Sequence, residues 1–379
     1  MRGQTARDSA GVRIVQHPRN AKPAATWQLG RVLARISGPF GNAREFTNVR
    51  GVARLSSESI VVANGGTNEV LFFDRRGGFQ TASGRAGAGP GEFQRLTRLL
   101  RSGDTLVAVD ADSRAQVFSP TGDLVRSLRA ARRDGARSPQ RIATGEFGST
   151  YVVVTQGTGR DELERDTVTQ LLTRSGQSGD SLSPIVAFPA YRPIRLGSAP
   201  GRLLLDAEGV VAAMDRRICI GYSDKYEVWC YAGDGRRTLR ISRDVSTREI
   251  DAAERALVRR AYLDANRDAP PALRERMERA AEEFRFASRA PVFSRFVLSA
   301  AGDLWVSPFM PGFGMPGPGA LLAPSAEHIW NVFSDIGAWV ASIALPRRFV
   351  LYEIGVDYVA GVVFDDDDVE HVVLMELKR

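Results

Sequence analysis

Histidine, cysteine and lysine are nearly missing from this chain. Its 379 residues hold three histidines and two cysteines, and the only lysines are Lys22, Lys225 and Lys378. With so few imidazoles and thiols, a histidine-built metal centre is not expected, and HExxH, paired CxxC and GxSxG patterns are all absent. No lysine follows a glycine, which removes a Walker-type phosphate loop from consideration. There is also no apolar run of about 18 residues, so no membrane-spanning helix is expected. The opening stretch, MRGQTARDSAGVRIVQHPRN, has no apolar core and reads as neither signal peptide nor anchor. It shows no helix or strand periodicity before Trp27, and residues 1–26 are expected to form an extended polar leader, partly mobile.

What remains is ordinary globular composition, 43% apolar and 25% charged. The formal charge of +7 is carried almost wholly by arginine, scattered along the chain. The densest basic stretch, RAARRDGAR at 129–137, contains Asp134 and no aromatic that would stack on a base. It reads as a solvated loop, and no nucleic-acid partner is expected.

A repeat organises the chain. A short apolar run is followed four residues later by glycine at Phe73/Gly77, Phe118/Gly122, Leu172/Gly176, Tyr231/Gly235 and Phe333/Gly337. Ahead of each lies another strand-like run: SIVVAN, DTLVAV, STYVVV, VVAAM and DLWVSP. Each unit is a small antiparallel meander. The last, FVLYEIGVDYVAGVVFDDDDVEHVVLMEL, supplies only three strands, and WQLGRVLARI at 27–36 has no unit of its own and completes it. The expected fold is an all-β, six-bladed β-propeller over residues 27–379 closed by an N-terminal strand, a ring that protects sheet edges. Blades are placed near 48–84, 94–130, 140–188, 195–243, 292–346, and 348–379 with 27–37.

GRAGAGPGEF, with Gly84, Gly87, Gly89, Pro90, Gly91, Glu92 and Phe93, then falls between the first two blades. Its glycines do not give GxGxxG, and they serve positive φ at a tight reversal. This motif resembles the crossing motif of six-bladed propellers of the NHL-repeat type, and the closing segments DLWVSPF and WNVFSDIGAWVASIALP are similar to the last blades of bacterial proteins of that group. The likeness runs from Trp27 to the end. It implies the fold and a cell-envelope or secreted location, although the export or lipoprotein signal usual in such proteins is not seen here. A fold of this kind does not specify an activity.

Three long insertions share one face of such a ring: QGTGRDELERD at 156, the stretch 245–290, and PFMPGFGMPGPGALLAPSAEH at 308. That face is the expected binding surface, unless the loops only cover the channel. The 245–290 segment is expected to be a helical hairpin between blades 4 and 5. A capping box at Ser246–Glu249 precedes Ile250, Leu257, Val258 and Tyr262, and Pro270 and Pro271 open a second helix carrying Met277, Phe284 and Phe286. It is read as a lid, a docking surface or a pair packed permanently on blade edges. Cys219 and Cys230 fall opposite each other on neighbouring strands, either bonded or as two buried thiols.

His17 lies in the leader, His328 at a loop end and His371 away from the channel. Asp365, Asp366, Asp367 and Asp368 are the sharpest acidic cluster, weak candidates for Ca²⁺ because EF-hand spacing is absent, and a solvated turn is the preferred reading. Glu92, Asp110, Asp206 and Asp303 are unranked acidic candidates. No catalytic residue and no cofactor are assigned. The primary expectation is a non-catalytic, monomeric propeller whose loop-rich face binds a protein, peptide or glycan. The alternative is a metal-dependent, lactonase-like hydrolase or lyase with oxygen ligands at the channel.

Overall fold

The computed structural model describes residues 4–40, 44–111, 113–129, 136–145, 149–156, 166–176, 178–179, 181–196, 199–264, 266–267, 269–311, 324 and 326–379. Most of the insertions at 156 and 308, and of the basic stretch at 129–137, lie outside the described residues. The chain begins with β1 (Thr5–Ser9), β2 (Val12–His17) and β3 (Ala25–Ile36). A first meander follows, β4 (Val49–Arg54), β5 (Ile60–Asn64), β6 (Glu69–Phe73) and β7 (Phe79–Ser83). The second is β8 (Leu96–Ser102), β9 (Thr105–Asp110), β10 (Ala115–Phe118) and β11 (Leu124–Leu128). The third is β12 (Ala136–Thr144), β13 (Thr150–Gln156), β14 (Val168–Ser175) and β15 (Leu182–Tyr191). After a small ladder of β16 (Ile194–Leu196) and β17 (Ala199–Gly201) comes the fourth, β18 (Gly209–Met214), β19 (Arg217–Tyr222), β20 (Glu227–Ala232) and β21 (Arg237–Arg243). Helices α1 (Ala252–Asp264) and α2 (Pro271–Glu282) separate it from the fifth, β22 (Phe296–Leu298), β23 (Leu304–Val306), β24 (His328–Phe333) and β25 (Trp339–Leu345). The sixth is β26 (Phe349–Ile354), β27 (Tyr358–Phe364) and β28 (Glu370–Lys378), against which β3 pairs antiparallel as a fourth strand.

The first strands of the six meanders neighbour one another in sequence order, and the cycle closes from β26 back to β4. The result is an all-β, propeller-like ring. Its energetics follow from packing on both faces of each sheet. In β5 every residue is buried, and Ile60 and Val62 enter the cluster shared with the sixth meander while Val61 and Ala63 enter the one shared with the second. A period-two strand thus reads as a continuous apolar run. The recurrent glycines close the hairpins before the fourth strands: Gly77, Gly122, Gly235 and Gly337 all have φ between +82° and +92°. In the third meander Gly179, at φ +90°, takes that place instead of Gly176.

Three boundaries differ from the sequence reading. The fourth meander starts at Gly209 rather than 195, because 194–201 pair with each other. The stretch ahead of Trp27 does not trail: β2 runs parallel along the outer edge of β21, β1 pairs β2, and the start of β3 runs parallel to β25 before crossing to β28. Val15 is buried with Leu239, Ile241 and Trp339, so a short alternation in VRIVQH was enough to cover an otherwise open edge. Between β21 and β22, the reciprocal cap is made by Asp251 and Glu254, whose side chains accept each other's backbone N–H at 2.8 and 3.0 Å. Helix α1 therefore starts beyond the expected Ser246–Glu249 box, and Phe284 and Phe286 lie past the end of α2. The base of this segment is tied by Ile250 N to Ser288 O and Ala290 N to Arg248 O.

The glycine loop between β7 and β8 is held by its own residues. Phe93 N donates to Arg85 O, Gly87 N to Phe93 O, and Gly89 N to the Glu92 carboxylate at 2.8 Å. A Cβ on Gly84 would sit 2.7 Å from the buried Phe93 ring, and the residue has φ +88°. Both requirements select glycine there.

Candidate functional site

In a ring of meanders, first strands surround the axis, while the links between meanders and the turns between second and third strands share one face. Two groups of side chains stand on the first strands and their flanks, towards opposite ends of those strands. Towards the opposite face, Glu353 on β26 accepts Arg101 Nη2 at 2.6 Å, Tyr358 OH at 2.6 Å and Arg54 N at 3.0 Å. Arg54 itself pairs with Glu58 at 2.5 Å. Charge at that end is matched.

Nearer the link face, Arg50 and Arg98 have no hydrogen-bond or ion-pair partner among the described residues. Arg50 stands second in β4, Arg98 third in β8, Arg295 just ahead of β22, and Tyr352 in β26. Burial holds the Tyr352 hydroxyl's pKa well above its ordinary value, against the opposing charges of Arg295, Arg50 and Arg98. Tyr352 OH donates to Val49 O at 2.6 Å, and Arg295 Nη1 donates to Leu351 O at 2.7 Å. Arg98 is solvent-exposed on β8. Burial pushes the Arg295 guanidinium down to about 10. The acid in this group is Glu370, whose two oxygens take the N–H groups of Asn48 (2.9 Å) and Val49 (2.7 Å). Burial raises its pKa in spite of those bonds and of Arg50.

The carboxylates singled out in the sequence are distributed elsewhere. Glu92 caps its own loop and pairs with Arg85 at 2.7 Å. Asp110 receives Gln94 N, Arg95 N and Arg114; burial acts to raise its pKa, and these donors outweigh it and hold the carboxyl below its usual range. Asp206 pairs with Arg192 at 2.7 Å. Asp303, on the opposite face, pairs with Arg379 at 3.1 Å, and burial nevertheless raises its pKa. Asp365–Asp368 form the turn between β27 and β28: Asp365 accepts from Asp367 N, Val369 N and the His371 ring, Asp368 adopts φ +64°, and Arg348 binds Asp368. The Asp110–Arg114 turn has the same form, with Ser113 at φ +64°. Among the described residues no three His, Cys, Asp or Glu side chains converge as metal ligands. Cys219 and Cys230 face each other across β19 and β20 and are joined in a disulfide. Beside it, a cavity of about 690 Å³ contains Arg217, which is already bonded to Gly302 O and Ser334 O.

The arginine group was missed in the sequence. Its signal was an arginine on the first strand of separate units, VRGVAR and LTRLLR, hidden by the abundance of arginine everywhere else.

No protein-family model matches this chain, and no curated protein matches it. Among solved structures, it is similar to a member of the DUF4221 family from Bacteroides vulgatus, with 8% identity, 94% of this chain and 99% of that chain covered, and a TM-score of 0.58. It also matches the calcium-binding protein regucalcin from Agrobacterium tumefaciens (11% identity, 94% and 97% covered, TM-score 0.40) and a gluconolactonase from Xanthomonas campestris (12%, 93% and 99%, TM-score 0.39). At 8% identity the likeness to the DUF4221 member is one of fold alone.

Proposed function

We propose that this chain is a six-bladed propeller of the NHL-repeat-like type, with α1 and α2 as a hairpin inserted between blades 4 and 5, and that it works as a non-catalytic binding module. Its link face takes a protein, peptide or glycan ligand over the mouth of the axis. The observation that supports this reading lies on the first strands: Arg54 and Arg101 pair with Glu58 and Glu353, while Arg50 and Arg98, nearer the links between meanders, have no hydrogen-bond or ion-pair partner among the described residues and are available to a ligand. The Cys219–Cys230 bond suits an oxidising location, in keeping with export or residence in the cell envelope.

A lactonase-like hydrolase with Ca²⁺ is the competing reading. Such an ion needs several oxygen ligands at one point. Here Glu92, Asp110, Asp206, Asp303 and Asp365 are each engaged with backbone N–H groups or a cationic or imidazole side chain at separate places, so these residues do not fit it. The test is metal analysis of protein purified without chelator, with melts before and after EDTA and with added Ca²⁺, Mg²⁺ and Zn²⁺. The expected result is no stoichiometric metal and an unchanged Tm. One bound metal whose removal lowers Tm would sink the binding-module reading and direct attention to lactones and esters.

A further inference from the structure

We propose that Ser37 is an acyl-acceptor site, its hydroxyl activated by His371 and Asp365 to take one acyl group from an activated ester. This goes beyond the binding reading and does not rest on it. Three side chains from separate elements form a continuous hydrogen-bonded chain: Asp365 in the turn between β27 and β28, His371 in β28, and Ser37 just past β3. Asp365 Oδ1 accepts Asp367 N at 3.0 Å and Val369 N at 2.9 Å, which fixes the carboxylate, and Oδ2 lies 2.9 Å from His371 Nε2. His371 Nδ1 lies 2.8 Å from Ser37 Oγ. Ile36 stands opposite Val372 in the β3–β28 ladder, so Ser37 falls beside His371 by register.

The polarity of this chain follows from its acid end. A carboxylate only accepts, so Nε2 carries the imidazole proton and Nδ1 is left with a lone pair for the Ser37 O–H. The His371 hydrogen bond, followed by the Val369 and Asp367 N–H groups, holds the Asp365 carboxyl below its usual range. A hydroxyl beside a base that is itself oriented by a third group is the arrangement that makes serine a nucleophile. The ring is turned over relative to the serine-protease triad, with Nδ1 facing the serine, and either nitrogen has the lone pair that proton transfer needs. The His371 side chain is only 12% exposed, while Ser37 is open to solvent. The second meander supplies a comparison: its like turn begins at Asp110, Gln116 takes the place of His371, and Ser127 Oγ donates to Gln116 Oε1 at 2.6 Å. An amide therefore suffices to hold the serine, and only the imidazole adds a base. In the step, Ser37 Oγ bonds to the acyl carbon as its proton passes to His371 Nδ1. The bond to the leaving oxygen breaks, and the proton departs on that oxygen.

The experiment treats the full chain with p-nitrophenyl acetate and reads the product by intact mass, peptide mapping and p-nitrophenol release. Acetylation of Ser37 is expected, about a hundredfold faster than that of Ser127, the exposed serine held by an amide. His371→Gln, which copies the second meander, should slow the reaction at Ser37 by a similar factor. Asp365→Asn should slow it as well, because an amide can donate to Nε2 and so favours the tautomer with its proton on Nδ1. Ser37→Ala, at an exposed position, should melt like the parent and lose the burst of p-nitrophenol. Should Asp365→Asn loosen its turn, His371→Gln decides, since Gln116 shows that the position accepts an amide. Acetylation of Ser37 no faster than that of Ser127, or unchanged in His371→Gln, overturns the site. Continued p-nitrophenol release that Ser37→Ala abolishes would overturn both the stoichiometric step and the non-catalytic reading. A bound metal would overturn that reading alone and leave Ser37 as argued, so the two fall independently.

Discussion

His17 shows how a single side chain acquires a role from its surroundings. Its Nε2 lies 3.0 Å from Gly337 O, its ring packs against Phe333 and Trp339, and Arg243 stacks on the same tryptophan at 3.8 Å. Burial, followed by the Arg243 charge, outweighs the Gly337 bond and holds its pKa below the usual 6.5. The unfolded chain therefore takes up this proton first as pH falls. The stabilisation is fully present above about pH 6.5 and is lost as pH drops towards the folded value, with a slope of at most about 1.4 kcal/mol per pH unit for one proton. Tm should decline between pH 7.5 and 5.5, and His17→Gln should flatten that decline; an identical profile in both proteins would remove His17 from the account. Arg141 is a second case, 1% exposed but donating to Ser113 O, Arg129 O and Gly179 O, which joins the second and third meanders. Neither role was visible in local sequence, because the partners are tens to hundreds of residues away.

At the scale of the element, turns were legible and edges were not. A glycine four residues beyond an apolar run identifies a hairpin through local backbone sterics, and Gly77, Gly122, Gly235 and Gly337 carry the positive φ that such a turn requires. FDDDDVE is turn chemistry of the same kind, with Asp365 collecting N–H groups and Asp368 accepting the left-handed conformation. The strand β2 is different: it is only six residues long and is held by the edge of β21 and the pocket around Val15. Val15→Asp should cost about 3 kcal/mol or more by burying an unpaired charge. Denaturant melts read this directly, and a change below about 1 kcal/mol would mean that β1 and β2 contribute little to the ring.

For the whole molecule, closure is the decisive contact. Strand β3 bridges β25 and β28, so the sixth meander is completed by residues far from it in sequence. Removing residues 1–36 should abolish a cooperative melt and expose the β28 edge to association, as measured by scanning calorimetry and light scattering. A monomeric product with a single cooperative transition would refute this account of closure. Local information alone was sufficient for the all-β class, the repeating meanders, the glycine crossing and the completion of the last unit by 27–36, because period-two burial and turn stereochemistry are short-range. The tertiary structure alone decided that the N-terminal segment pairs along outer edges, that Glu92, Asp110, Asp206, Asp303 and Asp365 are engaged at separate places, and that Arg295 bonds to Leu351 O beside Tyr352. Those juxtapositions arise only when the ring closes, since ring closure sets distances between residues whose sequence separation carries no periodic signal.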